Sequence, residues 1–188
     1  AYVPGEQPRE MEYVKLNTNE SPYPPCPAVE QAVSPSAVRR LNLYPDPAGL
    51  ELRRALAARY GLSPENVLLG NGSDEILNFA FTAFASPEKG AACPDISYGF
   101  YPVFAALHGL PLLEVPLKED FTLCPEDYYG LDRLIVFANP NAPTGLAIRP
   151  EQVENVLRNN PNSVVVVDEA YVDFGAESCA KLVEKYDN

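Results

Sequence analysis

The sequence has few of the residues that bind metal ions. Its 188 residues include a single histidine, His108, and its four cysteines stand far apart with no CxxC pair. One histidine cannot complete a ligand set with cysteines at such spacings, so we predict no metal site. Cysteines without a pairing pattern are typical of proteins from a reducing compartment. We therefore expect free thiols and a cytoplasmic location, the thiols being Cys26, Cys93, Cys124 and Cys179.

Basic residues are also scarce, because 14 lysines and arginines stand against 26 acidic residues and leave a net charge of −12. A chain this acidic repels nucleic acid and anionic membranes, so neither is an expected partner. No apolar run approaches the roughly 18 residues that a membrane span needs. The first residues lack the charged and apolar pattern of a secretion signal, so we expect a soluble, non-secreted protein. The hydrophobic content of 46% is sufficient for a buried core.

Hydrophobic periodicity predicts strands that alternate with helices after an irregular beginning. Residues 1–47 are rich in proline and show one possible short helix at 28–33. The remaining chain predicts helices at 49–60, 73–85, 99–108 and 150–160, and strands at 66–69, 91–93, 111–117, 132–140 and 163–171. Such alternation indicates an α/β fold, with a mostly parallel sheet and helices on both faces.

Ligands of such sheets bind beyond the carboxyl ends of the strands, so the residues at those ends are candidates. The first predicted strand runs into GNGSDE, residues 70–75, which opens a helix. Gly72 would let the backbone approach an anion, and the N–H groups around Ser73 and Asp74 would point at it. The carboxylate of Asp74 would repel an anion, which leaves the backbone and the Ser73 hydroxyl as the donors. A strand-to-helix turn without a ligand is the alternative.

Two further strand ends carry candidate ligand contacts. Tyr98 follows the strand at 91–93 and could stack on a flat ring, although an isolated tyrosine there is more typical of a core residue. Asn141 follows the strand at 132–140 in a loop that two prolines and a glycine make rigid. That density of turn residues favours a function for the Asn141 amide over an ordinary turn.

The last strand end raises a question, because four valines run directly into Asp168 and Glu169. A carboxylate at the mouth of a buried strand needs a partner. A metal with a nucleotide would require GxxxxGK[ST] earlier in the chain, and the sequence has none. A protonated ring nitrogen is the other candidate partner. The structural alternative is that Asp168 only caps a turn.

Six segments together resemble a known family. They are KLNTNESPYPP (15–25), LNLYPDPAGLELRRALA (41–57), GNGSDE (70–75), SYGFY (97–101), NPNAPTG (139–145) and VVDEAYVDF (166–174). Their order and spacing are similar to those of the large domain of fold-type I pyridoxal phosphate enzymes, and more narrowly to histidinol-phosphate aminotransferases. Where that family has NPNNPTG this chain has Ala142, which leaves the expected ligand residue Asn141 in place.

The resemblance implies pyridoxal 5′-phosphate as the cofactor and assigns roles around it. Asp168 would pair with the ring nitrogen, and Tyr171 and Asn141 would hydrogen-bond the phenolic oxygen of the ring. Tyr98 would stack on the ring face. Backbone N–H groups at residues 72–74 would hold the phosphate. The implied substrates are small molecules, an amino acid phosphate (L-histidinol phosphate) and a 2-oxo acid (2-oxoglutarate).

The resemblance also implies a homodimer in the full-length form. Tyr44 would reach the cofactor phosphate of the partner subunit, and Tyr23 would line the substrate entrance. Residues 1–47 would form an N-terminal arm and part of a small domain, and residues 48–188 a truncated cofactor-binding large domain.

The lysine that forms the Schiff base is expected about ten residues beyond Asn188, and the substrate-binding arginines also lie mostly there. Lys181 comes too early, in a segment typical of a polar surface helix, so no residue of this chain is predicted to be the catalytic nucleophile. The chain alone is therefore expected to be inactive. A threonine-phosphate decarboxylase, a broad aromatic aminotransferase and a non-catalytic remnant of the fold remain as alternatives.

Overall fold

The computed structural model describes Glu6, residues 9–11 and residues 13–188. The chain divides into two compact units, Ala1–Leu50 and Glu51–Asn188. The assignment of residues 1–47 to an arm and part of a small domain stays a prediction. Within the described ranges, no helix combines the length and the apolar composition that crossing a membrane would require.

The first unit contains two short helices, α1 (Pro27–Ala32) and α2 (Pro35–Val38). Each begins with a proline, whose fixed φ suits the first turn and whose missing N–H costs nothing there. The side chain of Ser34 caps α2 by accepting a hydrogen bond from the N–H of Ala37. The helix predicted at 28–33 is confirmed by α1. The four-residue α2 was not predicted, because it is too short to show a periodic pattern.

The second unit is built around one parallel sheet with the strand order β2-β1-β3-β4. Its strands are β1 (Ala91–Pro94), β2 (Leu112–Val115), β3 (Leu134–Ala138) and β4 (Val165–Asp168). Its α-helices are α3 (Leu50–Tyr60, which starts at the unit boundary), α4 (Ser73–Phe84), α5 (Tyr101–Leu107) and α6 (Pro150–Arg158). Short 3₁₀ helices span Pro64–Asn66, Pro125–Tyr128, Val172–Phe174 and Ala180–Glu184. The predicted α/β fold with a parallel sheet is confirmed.

Helices cover both faces of the sheet and form two cores. Leu134 and Val136 of β3 pack with α4 and α5 on one face. Ile135 and Phe137, the alternate residues of the same strand, pack with α6 and the 3₁₀ helix at 125–128 on the other. Successive side chains of a strand point to opposite faces, so a central strand covered on both sides must be apolar throughout. The burial of all five β3 residues follows from this.

The strand predicted at 66–69 is wrong. A 3₁₀ helix at Pro64–Asn66 occupies its beginning, and Val67 donates its N–H back to the carbonyl of Pro64. Residues 67–69 pair with none of the strands in the described part of the chain. Alternating apolar residues are not sufficient for a strand, because the backbone also needs a hydrogen-bonded neighbour.

Burial differs from expectation in β4 and in α4, and the N-cap of α4 differs as well. The residues of β4 are only half-buried, because β4 is an edge strand and pairs with a neighbouring strand of the described sheet on one side only. The apolar residues all along 73–85 predict a mostly buried helix, but α4 buries Leu77 and Phe81 and exposes Phe79 and Phe84, so it is amphipathic. Ser73 is a residue type that often caps helices, but the residue at the N-cap of α4 is Gly72.

Candidate active site

The carboxyl ends of β1, β3 and β4 lie at one edge of the sheet, because the three strands are parallel. Ala138 at the end of β3 is in register with Asp168 at the end of β4. The N–H of Asn139 donates to the backbone carbonyl of Asp168 at 2.8 Å, which extends the ladder by one more bond. The segments that follow these strands therefore start from a rigid base.

A chain of side-chain contacts links the start of α4 to the end of β4. The hydroxyl of Tyr98 donates to Oδ1 of Asp74 at 2.7 Å. The rings of Tyr98 and Tyr101 meet edge to face, with 5.6 Å between centroids and an interplanar angle of 82°. The hydroxyl of Tyr101 donates in turn to Oδ2 of Asp168 at 3.0 Å. Three of the predicted site residues, Asp74, Tyr98 and Asp168, are thus brought together through Tyr101.

Asp168 is half-buried, and both of its carboxylate oxygens accept hydrogen bonds. Oδ1 accepts from the N–H of Ala170 at 3.1 Å, and Oδ2 accepts from Tyr101. Among the described residues, no lysine, arginine or histidine forms an ion pair with this carboxylate. Burial, and next the negative charge of Asp168, raise the pKa of the Tyr101 phenol well above its usual range, so this hydroxyl stays protonated and donates. A half-buried carboxylate with two donors and no cation can still accept a bond from a cationic ligand.

Asn141 is buried and fully hydrogen-bonded. Its amide group donates to the carbonyl of Ile96 at 2.9 Å and to Oγ1 of Thr144 at 3.2 Å. Its Oδ1 accepts from the hydroxyl of Ser97 at 2.7 Å. A ligand that takes a hydrogen bond from Asn141 must therefore replace one of these acceptors, and the longer bond to Thr144 is the weaker of the two.

The neighbouring Asn139 closes the loop that carries Asn141. Its side chain forms two hydrogen bonds with the backbone of Ile148. Nδ2 of Asn139 donates to the carbonyl of Ile148 at 3.1 Å, and the N–H of Ile148 donates to Oδ1 of Asn139 at 2.9 Å. Asn139 is only 1% exposed. These two hydrogen bonds connect the two ends of the loop, as paired bonds connect neighbouring strands. The rigidity that the prolines and glycine of 139–145 predicted is supplied in large part by this asparagine.

The N-terminus of α4 has no side-chain cap. Gly72 stands at the N-cap with φ 85° and ψ 169°, a conformation that is accessible essentially to glycine alone. Glu75 turns back to accept the N–H of Asn71 at 2.7 Å, and the Asp74 carboxylate is engaged by Tyr98. Within the part of the chain that the structure describes, no N-cap side chain bonds the first-turn N–H groups around Ser73, and such uncapped groups are the ones that bind anions at helix N-termini.

Three further predicted site residues are Tyr171, Tyr44 and Tyr23. Tyr171 is half-buried, and its ring packs against Phe174 with 6.3 Å between centroids. Tyr44 and Tyr23 belong to the first unit, where Tyr44 is fully exposed and Tyr23 is 81% exposed. Their proposed roles stay predictions.

The structure separates Glu169 from its neighbour Asp168. Glu169 accepts from the hydroxyl of Ser178 at 2.6 Å and from the N–H of Cys179 at 2.5 Å, so it fixes the segment that leads into the last 3₁₀ helix. That segment buries Cys179 and Leu182, unlike the polar surface helix that was expected. Within the described residues, no cluster of three or more histidine, cysteine or acidic side chains could hold a metal ion.

Sequence reasoning missed Tyr101 and Ser97 as parts of this site. Both belong to the SYGFY segment, 97–101, which was assigned a role only through Tyr98. The available signal was proximity, since Tyr101 is three residues from Tyr98 and lies in the first turn of the helix predicted at 99–108.

The fold places this chain in a class of protein, the α/β domains with a parallel sheet, whose ligands generally bind beyond the carboxyl ends of the strands. The sequence model of the aminotransferase class I and II family matches residues 11–188. The chain belongs to this family of aminotransferases.

Two named relatives show which aminotransferases this chain is similar to. The chain is 49% identical over 188 residues to the histidinol-phosphate aminotransferase of Brachyspira hyodysenteriae, covering all of this chain and 53% of that protein. It is 50% identical over 190 residues to histidinol-phosphate aminotransferase 1 of Bordetella parapertussis, with the same coverage. The chain thus spans about half the length of the curated relatives it matches.

Two solved structures have folds similar to the fold of this chain. The histidinol-phosphate aminotransferase of Sinorhizobium meliloti, crystallised in complex with pyridoxal-5′-phosphate, superposes with a TM-score of 0.76 at 28% identity over 83% of this chain and 44% of that one. The L-threonine-O-3-phosphate decarboxylase of Porphyromonas gingivalis gives a TM-score of 0.65 at 23% identity over 76% of this chain and 44% of that one. The second likeness indicates a shared fold only.

Proposed function

We propose that this chain is the cofactor-binding part of a pyridoxal phosphate-dependent aminotransferase that acts on L-histidinol phosphate and 2-oxoglutarate in histidine biosynthesis. The observation that carries the proposal is the contact chain from Asp74 through Tyr98 and Tyr101 to Asp168. It connects the uncapped start of α4 to a carboxylate that forms no ion pair within the described part of the chain. The choice of substrate is supported by the two relatives near 50% identity.

The residues of the site fit pyridoxal phosphate, which carries a phosphate at one end and a basic ring nitrogen at the other. The uncapped first turn of α4, with Gly72 and Ser73, would hold the phosphate. Asp168 would accept a hydrogen bond from the protonated ring nitrogen, and Tyr98 would stack on the ring. When bound, the cofactor supplies an electron sink for charge that develops on the substrate.

The negative charge of Asp168 is the main contribution of this chain to that chemistry. A carboxylate beside the ring nitrogen favours the protonated form of that nitrogen. The bond from Tyr98 to Asp74 has a second effect, because it keeps a nearby carboxylate engaged and away from the phosphate. Asn141 and Tyr171 would bind the phenolic oxygen, and Asn141 would give up its 3.2 Å bond to Thr144 in order to do so.

The same proposal covers the partners and the location. The active form would be a homodimer in which Tyr44 reaches the cofactor of the other subunit and Tyr23 lines the substrate entrance. The lysine that bonds to the cofactor would come from residues beyond Asn188, so residues 1–188 alone would not catalyse the reaction. A cytoplasmic location is supported by the four free thiols.

A chimera tests the proposed activity. Residues 1–188 would replace the matched part of the Brachyspira hyodysenteriae relative, and transfer of the amino group from L-histidinol phosphate to 2-oxoglutarate would be measured. We expect activity from the chimera and a loss of at least about tenfold from the same chimera with Asp168→Asn. A folded chimera that instead decarboxylates O-phospho-L-threonine, or that does neither reaction, would contradict the proposal.

Borohydride reduction tests the location of the lysine. The 188-residue chain, mixed with pyridoxal phosphate and reduced, would be digested and examined by mass spectrometry. We expect no stoichiometric adduct at any single lysine, whereas a unique stoichiometric adduct, for example at Lys181, would place the nucleophile inside this chain.

A further inference from the structure

Tyr101, whose hydroxyl donates to Asp168, is buried and packed within the core. It is 0% exposed and is the first residue of α5, where its N–H donates to the carbonyl of Tyr98 at 3.2 Å. Its ring packs within the core on the α4–α5 side of the sheet and meets the Tyr98 ring edge to face. A buried aromatic side chain has few rotamers, so the position of its hydroxyl is fixed by the fold.

The two bonds to the Asp168 carboxylate differ in what they can fix. The donor at Oδ1 is the N–H of Ala170, two residues further along the chain, and it belongs to the same turn as Asp168. The donor at Oδ2 is Tyr101, 67 residues earlier in the sequence and on a different element. Within the described chain, the Tyr101 bond is therefore the one that ties this carboxylate to the body of the domain.

We propose that Tyr101 is a positioning residue that holds the Asp168 carboxylate in place for the ring nitrogen of the cofactor. The inference rests on the proposed function, because Asp168 is the ring-nitrogen partner there. A carboxylate that is already oriented loses less freedom when a ligand binds, and the gain appears as affinity.

The protonation state of Tyr101 suits its proposed role of positioning the Asp168 carboxylate. Its phenol is kept neutral by burial and by the charge of Asp168, so over the working pH range it offers a proton and never a second negative charge. A second tyrosine shows what a purely structural role looks like. Tyr128 is 1% exposed and packs against Phe137 on the opposite face, and its hydroxyl has no hydrogen-bond partner among the described residues. Tyr128→Phe is therefore a matched control for Tyr101→Phe.

Binding of two cofactor analogues tests the proposal. The probes are pyridoxamine phosphate, which does not condense with surface lysines, and its carbocyclic counterpart with C–H in place of the ring nitrogen. Equilibrium dialysis would give the affinity of wild type, Tyr101→Phe and Tyr128→Phe for each probe. We expect wild type and Tyr128→Phe to prefer pyridoxamine phosphate equally. Tyr101→Phe should lose about tenfold in affinity for pyridoxamine phosphate and nothing for the carbocyclic probe.

The outcomes separate this inference from the proposed function. Equal losses of Tyr101→Phe for both probes, or no loss for either, would overturn the positioning role while the wild-type preference upheld the proposed function. A wild type without that preference would overturn the proposed function, and with it the role toward the ring nitrogen. Tyr101→Phe retains the ring, so a folded variant is expected, and far-ultraviolet circular dichroism would verify it.

A double-mutant cycle gives a readout that needs no cofactor. Tyr101→Phe, Asp168→Ala and the double variant would be unfolded in urea, and the changes in midpoint compared, because alanine leaves Tyr101 no bonding partner at residue 168. Non-additive midpoint shifts would support a direct bond between the two side chains. Additive shifts would overturn it, whatever the result with the two probes.

Discussion

Replacing Asp168 and Glu169 one at a time should separate cofactor binding from stability. The two carboxylates are adjacent in sequence but have different partners. Glu169 binds the Ser178 hydroxyl and the Cys179 N–H, and both bonds serve the fold. Asp168 binds Tyr101 and Ala170 and has no cation beside it in the described chain.

The magnitudes follow from the number and kind of bonds. Glu169→Ala removes two bonds to an ionised acceptor, each of about 1.5 kcal/mol at the low end that suits a half-buried group, so about 3 kcal/mol is lost. For a domain of this size that loss lowers Tm by about 6–12 °C. Asp168→Asn keeps the shape and an acceptor for Ala170, and Tyr101 can turn to accept from the new amide, so the stability change should stay below about 1 kcal/mol.

For ligand binding we expect the reverse order, with the larger loss in Asp168→Asn and the smaller loss in Glu169→Ala. Asp168→Asn removes a charge-assisted bond to the ring nitrogen, about 1.5–3 kcal/mol, which corresponds to about a tenfold to hundredfold loss of affinity for pyridoxamine phosphate. Glu169→Ala should change this affinity by less than about threefold as long as the chain is folded, because its partners lie in the segment at 178–179.

The assays are thermal unfolding followed by circular dichroism and equilibrium dialysis with pyridoxamine phosphate. Asp173→Ala is the control, since among the described residues the exposed Asp173 side chain bonds only Arg59, in a surface ion pair at 3.3 Å. This variant should leave both Tm and affinity unchanged. The reasoning would be refuted by a Glu169→Ala variant that keeps its Tm and loses as much affinity as Asp168→Asn.

Four further predictions concern the fold and its thiols. Phe137→Ala, at a fully buried position of β3, should cost about 3–5 kcal/mol in urea unfolding, and a cost below about 1 kcal/mol would contradict the described core. Gly72→Ala has open space around the new methyl group, so its expected cost of about 1–3 kcal/mol comes from the φ of 85° alone, and an unchanged midpoint would argue against that conformation. Burial raises the pKa of Cys93 and Cys179 to about 12, so peptide mapping after iodoacetamide treatment at pH 8 should find exposed Cys26 modified long before them. Because the unfolded chain releases these thiol protons near pH 9 and the folded chain only near pH 12, stability should fall as the pH rises through that interval, and a flat profile would be inconsistent with their burial.

Local patterns were sufficient for most of the elements. The continuous apolar run of β3 predicted a strand covered on both faces, and the periodic residues of α6 predicted a helix from Pro150. The strand at 66–69 failed because pairing with a neighbour is a property of the sheet and not of the segment. The half-burial of β4 has the same origin, since four consecutive valines do not reveal whether a strand is central or at an edge.

The candidate site, like the fold, was predictable from local sequence only in part. Strand-end position alone, together with the rule for parallel sheets, selected Asp168 and Asn141 as candidate ligand contacts, and their proposed roles came from the family resemblance. What the sequence by itself determined is therefore the alternation of elements and the chemical groups at the strand ends, because both depend on neighbours within a few residues. Only the tertiary structure decided that Tyr101 donates to Asp168 across 67 residues and that Glu169 serves the segment at 178–179. Such partners are chosen by packing between distant segments, and no local pattern of residues records which buried donor will meet which acceptor.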